Sequence, residues 1–209
     1  LSRERFEPLI EECPKALEPT GFADIALTPQ GRDHLDHEAE RLTKSGFNVE
    51  FRTGDELRRE DPSWSDDVIG GLVQHDGIVA RPDDLIRHLA QRFEADGGIL
   101  RTNATVENVH LEGGCFESIE LADGERIQGG TLLVTAGIWS SGLARDLNIR
   151  IPMQAAKGYH VMIEMENPPR MASVLSEACI VVNPMGNQVR LAGTLELSGI
   201  NDRMVQRRL

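Results

Sequence analysis

The sequence lacks several features that would assign it to a common class of protein. It has only three cysteines in 209 residues, Cys13, Cys115 and Cys179, which are an odd set with no close pair. We therefore expect reduced thiols and a cytoplasmic setting, because disulfide frameworks use even sets of cysteines in secreted chains. No apolar run approaches the roughly 20 residues that span a membrane, and there is no secretory leader pattern. The first residue is Leu rather than Met, so we expect a fragment of a longer protein.

Positive charge is also scarce. Lysine and arginine total 22 against 34 aspartate and glutamate residues, which gives a net charge of −12. No basic run offers a surface for phosphates, so nucleic acid and anionic membranes are poor partners. His34 and His37 have a spacing that a metal pair can use, but no third ligand is evident. We therefore favour a solvated helix face and expect no metal.

The stretch from residue 130 to 161 organises the rest of the chain. Residues 131–135 form a short apolar, β-branched run bounded by small residues, which predicts a buried strand. Ala136 and Gly137 follow at once, and a helix is predicted from 138 to about 147. This arrangement suits an extended anionic ligand, because small residues let the backbone approach it and helix-end N–H groups can face it. Many α/β domains have the same turn without a ligand, so its neighbours decide the interpretation.

The pattern changes along the chain from helices to strands. Helices are predicted at 3–17, 28–45, 53–60 and 82–95, the last with Leu85, Leu89 and Phe93 on one face. Strands are predicted at 21–27, 47–51, 70–74, 77–80, 99–102, 104–111, 116–121, 125–127, 153–165, 178–182 and 188–195. We infer two structural neighbourhoods, with segments 1–76 and 150–209 in one domain and segment 77–149 inserted between them.

Six tracts in register carry a resemblance to a known family. In order they are EAERLTKSGFNVEFRTGDELRREDP, GGLVQHDGIVARPDDLIRHLAQRFEADGG, TNATVENVHLEGG, TAGIWS, LNIRIPMQAAKGYHV and RLAGTLELSGIN. The sequence resembles the D-amino acid oxidase superfamily of FAD-dependent oxidoreductases, most closely the bacterial D-amino acid dehydrogenases. The resemblance covers essentially all 209 residues. It implies FAD as the cofactor and an α+β or α/β fold. That fold is a partial two-domain flavoprotein, with a mixed β-sheet substrate domain and an incomplete FAD-binding domain.

The chain departs from the family pattern at both ends. The family holds the FAD pyrophosphate on a GxGxxG turn, and no such motif occurs here. Gly113-Gly114 and Gly129-Gly130 have neither its spacing nor a following helix. The chain also stops before the family's glycine-rich segment near the flavin and the arginine that grips the substrate carboxylate. We expect the parent protein to be active, and this piece alone to be inactive and unable to bind FAD.

The resemblance implies a cofactor role for six residues. Val106 matches a position whose backbone touches the adenine end of FAD, although it could be a plain core valine. Ala136 and Gly137 match small residues that pass close to the dinucleotide, where a larger side chain would keep the backbone away. Trp139 could contact the flavin or simply pack. The full set is Val106, Thr135, Ala136, Gly137, Trp139 and Gly158.

Four residues are candidates for the substrate pocket. Tyr159 could face the substrate or cap the core with its hydroxyl bonded. Ile180 and Leu195 lie on strands that align with the family's pocket strands. Glu196 could recognise a substrate amine or be a solvated strand residue, and we favour the second. The sequence does not identify a catalytic acid or base.

The implied reaction is oxidation of an amine or D-amino acid by hydride transfer from its α-carbon to flavin, as in amino-acid catabolism. Such an enzyme needs position and electrostatics more than a catalytic dyad. One alternative is a glycine or sarcosine oxidase-like enzyme, and another is a catalytically silent scaffold domain. The expected location is the cytoplasm or the surface of the inner membrane.

Overall fold

A computed structural model describes residues 2–208. They form two compact units. The first comprises residues up to Arg92, Gly158–Leu195 and residues from Met204 on, and the second comprises Phe93–Lys157 and Glu196–Arg203. The units therefore change at 92/93, 157/158, 195/196 and 203/204, whereas the sequence suggested 76/77 and 149/150. The assignment of residues 1–76 and 150–209 to a substrate domain, and of residues 77–149 to part of an FAD-binding domain, stays a prediction.

A mixed sheet forms the centre of the first unit. Its strands are β2 (Phe22–Ala26), β3 (Val49–Thr53), β4 (Gly70–Gln74), β9 (Lys157–Glu164), β10 (Ala172–Leu175), β11 (Ile180–Met185) and β12 (Gln188–Glu196). Within the described residues the order is β3-β4-β2-β10-β11-β12-β9. β10 pairs with β2 in parallel, and β11 pairs antiparallel with both β10 and β12. Separately, β1 (Leu17–Glu18) pairs with β5 (Val79–Ala80).

Helix α2 (Pro29–Lys44) covers one face of this sheet. Thr28 precedes it, and the Thr28 hydroxyl accepts a hydrogen bond from the Gly31 N–H at 3.1 Å. A side-chain cap of this kind stabilises a helix by about 1 kcal/mol. Leu35 and Ala39 are buried together with Ala26 and Leu72 of the sheet. The helix predicted at 28–45 is therefore confirmed.

The other face of the sheet packs against helix α3 (Gly54–Glu60). Thr53 and Glu56 form a capping box at its start, in which each side chain bonds the backbone of the other residue. The box directs Leu57 into a core with Ile25 and Val73. Full burial of a leucine is worth about 1.5–3 kcal/mol. This local pattern fixes the helix where the sequence predicted it.

The second unit contains a three-stranded antiparallel sheet within the described residues. Its strands are β6 (Val106–Glu112), β7 (Cys115–Leu121) and β8 (Arg126–Gln128), in the order β6-β7-β8. The short helix α5 (Ser140–Asp146) lies beside β6. There the Asp146 carboxylate accepts a hydrogen bond from the Val109 N–H at 3.2 Å. The strands predicted at 116–121 and 125–127 are confirmed, and they pair as a hairpin.

One helix prediction needs correction. The first helix, α1, spans Ser2–Glu12 and does not continue to residue 17. Cys13 precedes Pro14, and a residue before proline is driven out of the helical region. Helix α4 spans Pro82–Ala95 as predicted, but Leu89 and Phe93 on its apolar face are exposed.

Three strand predictions were wrong. Residues 99–102 and 131–135 form no strand, and the strand predicted at 153–165 begins only at Lys157. A strand exists only when a neighbouring strand accepts its hydrogen bonds, and that neighbour is not written in the local sequence. The sequence did not predict β10. Its local sequence has no clear strand pattern, and it is a strand because it pairs with β2 and β11.

Candidate functional site

The segment 131–136 lies beside an apolar cavity in the second unit. Its side chains alternate in exposure: Leu132, Val134 and Ala136 are half-buried, whereas Leu133 is 82% exposed. The half-buried side contributes to a cavity of about 350 Å³. Its lining includes the predicted cofactor residues Val106, Thr135 and Ala136, together with Val109, Ile119, Leu132, Leu133, Val134 and Leu143. The structure therefore brings three of the six predicted cofactor residues together.

Gly137 follows this cavity directly and has a φ of +53°. L-residues with a Cβ adopt this region at a cost, so the backbone conformation favours glycine here. An added Cβ would meet no atom within 4 Å in the described residues. The glycine thus starts the turn that leads into α5, and the space in front of it is open. Trp139, two residues later, is 65% exposed and does not line the cavity.

Gly158 is the second residue of β9, in the first unit. It is exposed, its φ lies outside the left-handed region, and a Cβ there would meet no atom within 4 Å in the described chain. Neither backbone conformation nor crowding within the chain therefore explains this glycine. Its predicted role in leaving room for a cofactor stays a prediction.

A second cavity, of about 250 Å³, lies on the first unit between β9, β11 and β12. Two of the four predicted substrate residues, Tyr159 and Ile180, line it. Leu195 is 59% exposed and lies outside it. The remaining lining residues are His160, Val161, Leu191, Ala192, Gly193 and Thr194, so the wall is mainly aliphatic with three polar side chains.

Tyr159 is only 7% exposed. Its hydroxyl oxygen accepts a hydrogen bond from the Val205 N–H at 3.1 Å. The buried phenol therefore ties the segment near residue 205 to the start of β9, while the same side chain contributes to the cavity wall. The two roles considered from the sequence are compatible in this geometry.

Glu196 is not the solvated strand residue that the sequence favoured. It is 8% exposed, and its carboxylate lies 3.5 Å from the Lys157 ammonium. The Ser198 hydroxyl also donates to it. A carboxylate withdrawn from water needs such partners, because an unpaired buried charge is costly. Sequence reasoning missed Lys157, although a lone acid in an apolar strand is a signal for a paired cation.

A histidine and a glutamate lie next to each other on β6 and β7 of the second unit. His110 and Glu120 are joined by a 2.7 Å contact between the ring Nε2 and a carboxylate oxygen. The hydrogen bond from His110 lowers the pKa of Glu120, and Arg126 at 3.4 Å adds to the effect. Neither residue lines either cavity. Among residues 2–208, His, Cys, Asp and Glu side chains do not gather into a group suited to a metal ion.

Comparison with known protein families assigns the chain to one of them. Residues 1–208 match the DAO family, described as FAD dependent oxidoreductase. The chain belongs to this family. The DAO family match confirms the resemblance that the six tracts carried, and it confirms FAD as the family's cofactor.

Relatives of this DAO family member agree with the match. The D-amino acid dehydrogenase of Xanthobacter autotrophicus is 24% identical over 208 residues, which cover 96% of this chain and 49% of the relative. The D-amino-acid oxidase of Bradyrhizobium diazoefficiens is 32% identical over 149 residues, covering 70% of this chain and 35% of that protein. The chain therefore spans about half the length, or less, of these curated relatives.

A solved structure shows the same fold. Glycine oxidase from Bacillus cereus superposes with a TM-score of 0.83 at 17% identity, covering 99% of this chain and 58% of that chain. The predicted fold class, a mixed-sheet unit with part of a flavoprotein fold, is confirmed. No helix within the described residues has the length and hydropathy that a membrane crossing requires.

Proposed function

We propose that this chain is the central part of an FAD-dependent oxidoreductase that oxidises a D-amino acid or a related amine. The observation that carries the proposal is the apolar cavity in which Val106, Thr135 and Ala136 meet, in a chain that matches the DAO family throughout. Its volume of about 350 Å³ falls within the range of about 300–1,000 Å³ that is usual for ligand sites.

The residues present fit one wall of a dinucleotide site. The cavity wall is almost entirely aliphatic, which suits the flat face of an aromatic ring system. Gly137 then turns the backbone into a 3₁₀ turn and α5, with open space where a side chain would project. Val106, Thr135, Ala136 and Gly137 would therefore hold part of the cofactor, and the proposal extends to Trp139 and Gly158.

The exposure pattern of segment 131–136 supports a larger parent protein. Its residues alternate in burial, as in a sheet, yet no strand of the described chain pairs with them. Leu133 and Ile99 are 82% and 84% exposed, which is unusual for large aliphatic side chains in a folded domain. We infer that further chain covers them in the complete enzyme.

The flavin would supply the redox chemistry, because it accepts a hydride from a carbon that bears an amine. The chain's own residues would position the reactants. The second cavity offers an aliphatic wall from Ile180, Val161 and Leu191 for the substrate's side chain, and this wall would limit access of water. Tyr159 is held by its bond to Val205 and would present a fixed ring to the substrate. Leu195 and Glu196 would contribute from the neighbouring part of β12, Glu196 through its partners rather than by direct contact.

The test is made on the complete gene product. We expect its purified form to carry FAD, absorb at flavin wavelengths and reduce a dye acceptor with D-amino acids. A preference for glycine or sarcosine would favour the oxidase-like alternative. A colourless complete protein that does not take up added FAD would support a silent scaffold and refute the proposal. The upstream coding sequence offers an independent check, since a GxGxxG turn within about 100 residues is expected.

The 209-residue chain alone should be inactive and should not retain FAD. We propose a catabolic role, as expected for the proposed reaction, and a location in the cytoplasm or on the inner membrane surface. The three free cysteines are compatible with a reducing compartment. Fractionation of cells and assay of the membrane and soluble fractions would test the location.

A further inference from the structure

The ammonium of Lys157 is the centre of a hydrogen-bonded cluster in the second unit. It donates to the Asn201 side-chain oxygen at 2.9 Å and to the Arg203 carbonyl at 2.5 Å, and it lies 3.5 Å from a Glu196 carboxylate oxygen. Lysine is a cation with three N–H donors, so it can hold several oxygen acceptors at once.

The acceptors all lie on one short loop, residues 196–203. Asn201 organises this loop further, because its amide donates to the Ser198 carbonyl at 3.2 Å and to the Gly199 carbonyl at 3.3 Å. Its side-chain oxygen also accepts from the Arg203 N–H at 3.1 Å. We name residues 196–203 the lysine loop, because they fold around the Lys157 ammonium.

The loop has little apolar burial to hold it in place. Leu197 and Ile200 are both exposed, and the loop forms no strand after Glu196. Its order therefore depends on polar contacts, and the lysine supplies the charged ones. Charge-assisted hydrogen bonds are stronger than neutral ones, especially where the charges are withdrawn from water.

The lysine loop contacts Lys157, which directly precedes two residues that the proposed function requires. Lys157 is followed by Gly158, a predicted cofactor residue, and then by Tyr159, which lines the substrate cavity. The Tyr159 hydroxyl binds the Val205 N–H, two residues beyond the loop. The two side chains on either side of Gly158 thus both bind the chain segment 196–205.

We propose that Lys157 is a positioning residue, whose ammonium orders the lysine loop and thereby fixes the backbone of Gly158 and Tyr159 at the start of β9. The inferred effect on cofactor and substrate binding rests on the proposed function, which gives Gly158 and Tyr159 their roles. The ordering itself is a property of this chain and does not depend on FAD.

The first experiment measures amide hydrogen exchange in this chain without cofactor. Lys157→Met keeps the length of the side chain and removes the charge. We expect exchange of amides in 197–205 to accelerate by about tenfold or more, while amides of β2 and β10 keep their protection. Lys157→Arg retains a cationic donor and should recover a large part of the protection. Lys44→Met is the matched control, because Lys44 forms an exposed 3.6 Å pair with Glu40 on α2.

Glu196→Gln provides a second route in case Lys157→Met does not fold. It preserves shape and removes only the opposite charge, and we expect a smaller acceleration confined to the same amides. Unchanged protection of 197–205 in both variants would overturn the inference, as would an equal loss of protection throughout β2 and β10.

The second experiment uses the complete, FAD-containing protein. We expect Lys157→Met to lower kcat/KM by about tenfold, mainly through KM, because Tyr159 lies in the substrate cavity. Lys157→Arg should restore most of it. The positioning role would be refuted if Lys157→Met accelerates amide exchange in the lysine loop but leaves kcat, KM and flavin absorption unchanged. A wild-type complete protein without FAD would instead refute the proposed function, and the exchange result would still stand.

Discussion

One carboxylate oxygen of Glu177 accepts two hydrogen bonds from Thr28, one from its N–H at 3.0 Å and one from its hydroxyl at 2.9 Å. The Leu27 N–H donates to the same oxygen at 3.1 Å. Glu177 lies in the connection between β10 and β11, 149 residues further along the chain. A negative charge at a helix N-terminus is favourable, because the helix dipole is positive there. Glu177 therefore joins the start of α2 to the far half of the sheet.

Glu177→Gln should destabilise the chain by about 1 kcal/mol, as loss of a helix-capping interaction does. The amide keeps an acceptor but loses the charge that three donors share. Urea unfolding at neutral pH measures the change. Glu166→Gln, at an exposed position after β9, is the control and should have no effect. Equal stability of the two variants would contradict the capping role.

The same residue should make stability depend on pH. Partial burial by itself would raise the pKa of Glu177, but hydrogen bonds from its own backbone, Thr28 and Leu27 outweigh it and hold the pKa below its ordinary value of 4.5. A lowered folded-state pKa means that the stabilisation is present above the unfolded value and is lost as pH falls through the folded value. Thermal unfolding below pH 4.5 should therefore converge for wild type and Glu177→Gln. If the difference in Tm between the two proteins persists at acid pH, it does not come from the ionised Glu177 carboxylate.

Gly31→Ala should test the closeness of Glu177 to α2. A Cβ at residue 31 would lie 2.2 Å from the Glu177 carboxylate oxygen and would displace it. Alanine otherwise favours a helix over glycine by about 1 kcal/mol. We expect Gly31→Ala to be neutral or destabilising in the wild type and stabilising in a Glu177→Ala background. A double-mutant cycle by urea unfolding measures this coupling, and additive effects would contradict it.

Gly137→Ala should loosen the turn before α5. Its φ of +53° costs an L-residue about 1 kcal/mol or more. Hydrogen exchange of the α5 amides is the appropriate measurement, because the effect is local. Gly130→Ala is the control, since Gly130 has no left-handed φ and an added Cβ would meet no described atom within 4 Å. Comparable exchange in both variants would show that the turn tolerates a side chain.

Asp24→Asn should stabilise the chain near neutral pH. Burial in β2 raises the pKa of Asp24, the Gln74 amide at 3.2 Å lowers it in part, and the charge of Glu38 raises it further. For an acid with a raised folded-state pKa, stability is full below the unfolded value of about 3.8 and falls as pH rises through the folded value. The variant's Tm should therefore exceed that of wild type at pH 7 and match it in acid. Asp67→Asn, at an exposed position, should show no such trend.

The elements predicted well are those whose determinants are local. Thr28 and Thr53 cap α2 and α3 where the sequence placed them, because the cap, the acid or proline and the apolar spacing lie within one or two turns. The β7–β8 hairpin is equally local, with Gly124 at its turn. For the site, the sequence brought out Val106, Thr135 and Ala136, and the structure places them around one cavity.

The rest depended on contacts between distant residues. Segment 131–136 has the composition of a strand but no pairing neighbour in the described chain, and β10 has a neighbour that its own sequence does not reveal. Glu196 looked solvated until Lys157, 39 residues earlier, proved to be its partner. Periodicity, capping and turn residues in the local sequence determined the helices and the hairpin, and six tracts of sequence carried the resemblance to the family. Only the tertiary structure decided strand pairing, the burial of single charges and the lining of the cavities, because these are set by long-range contacts that local sequence does not encode.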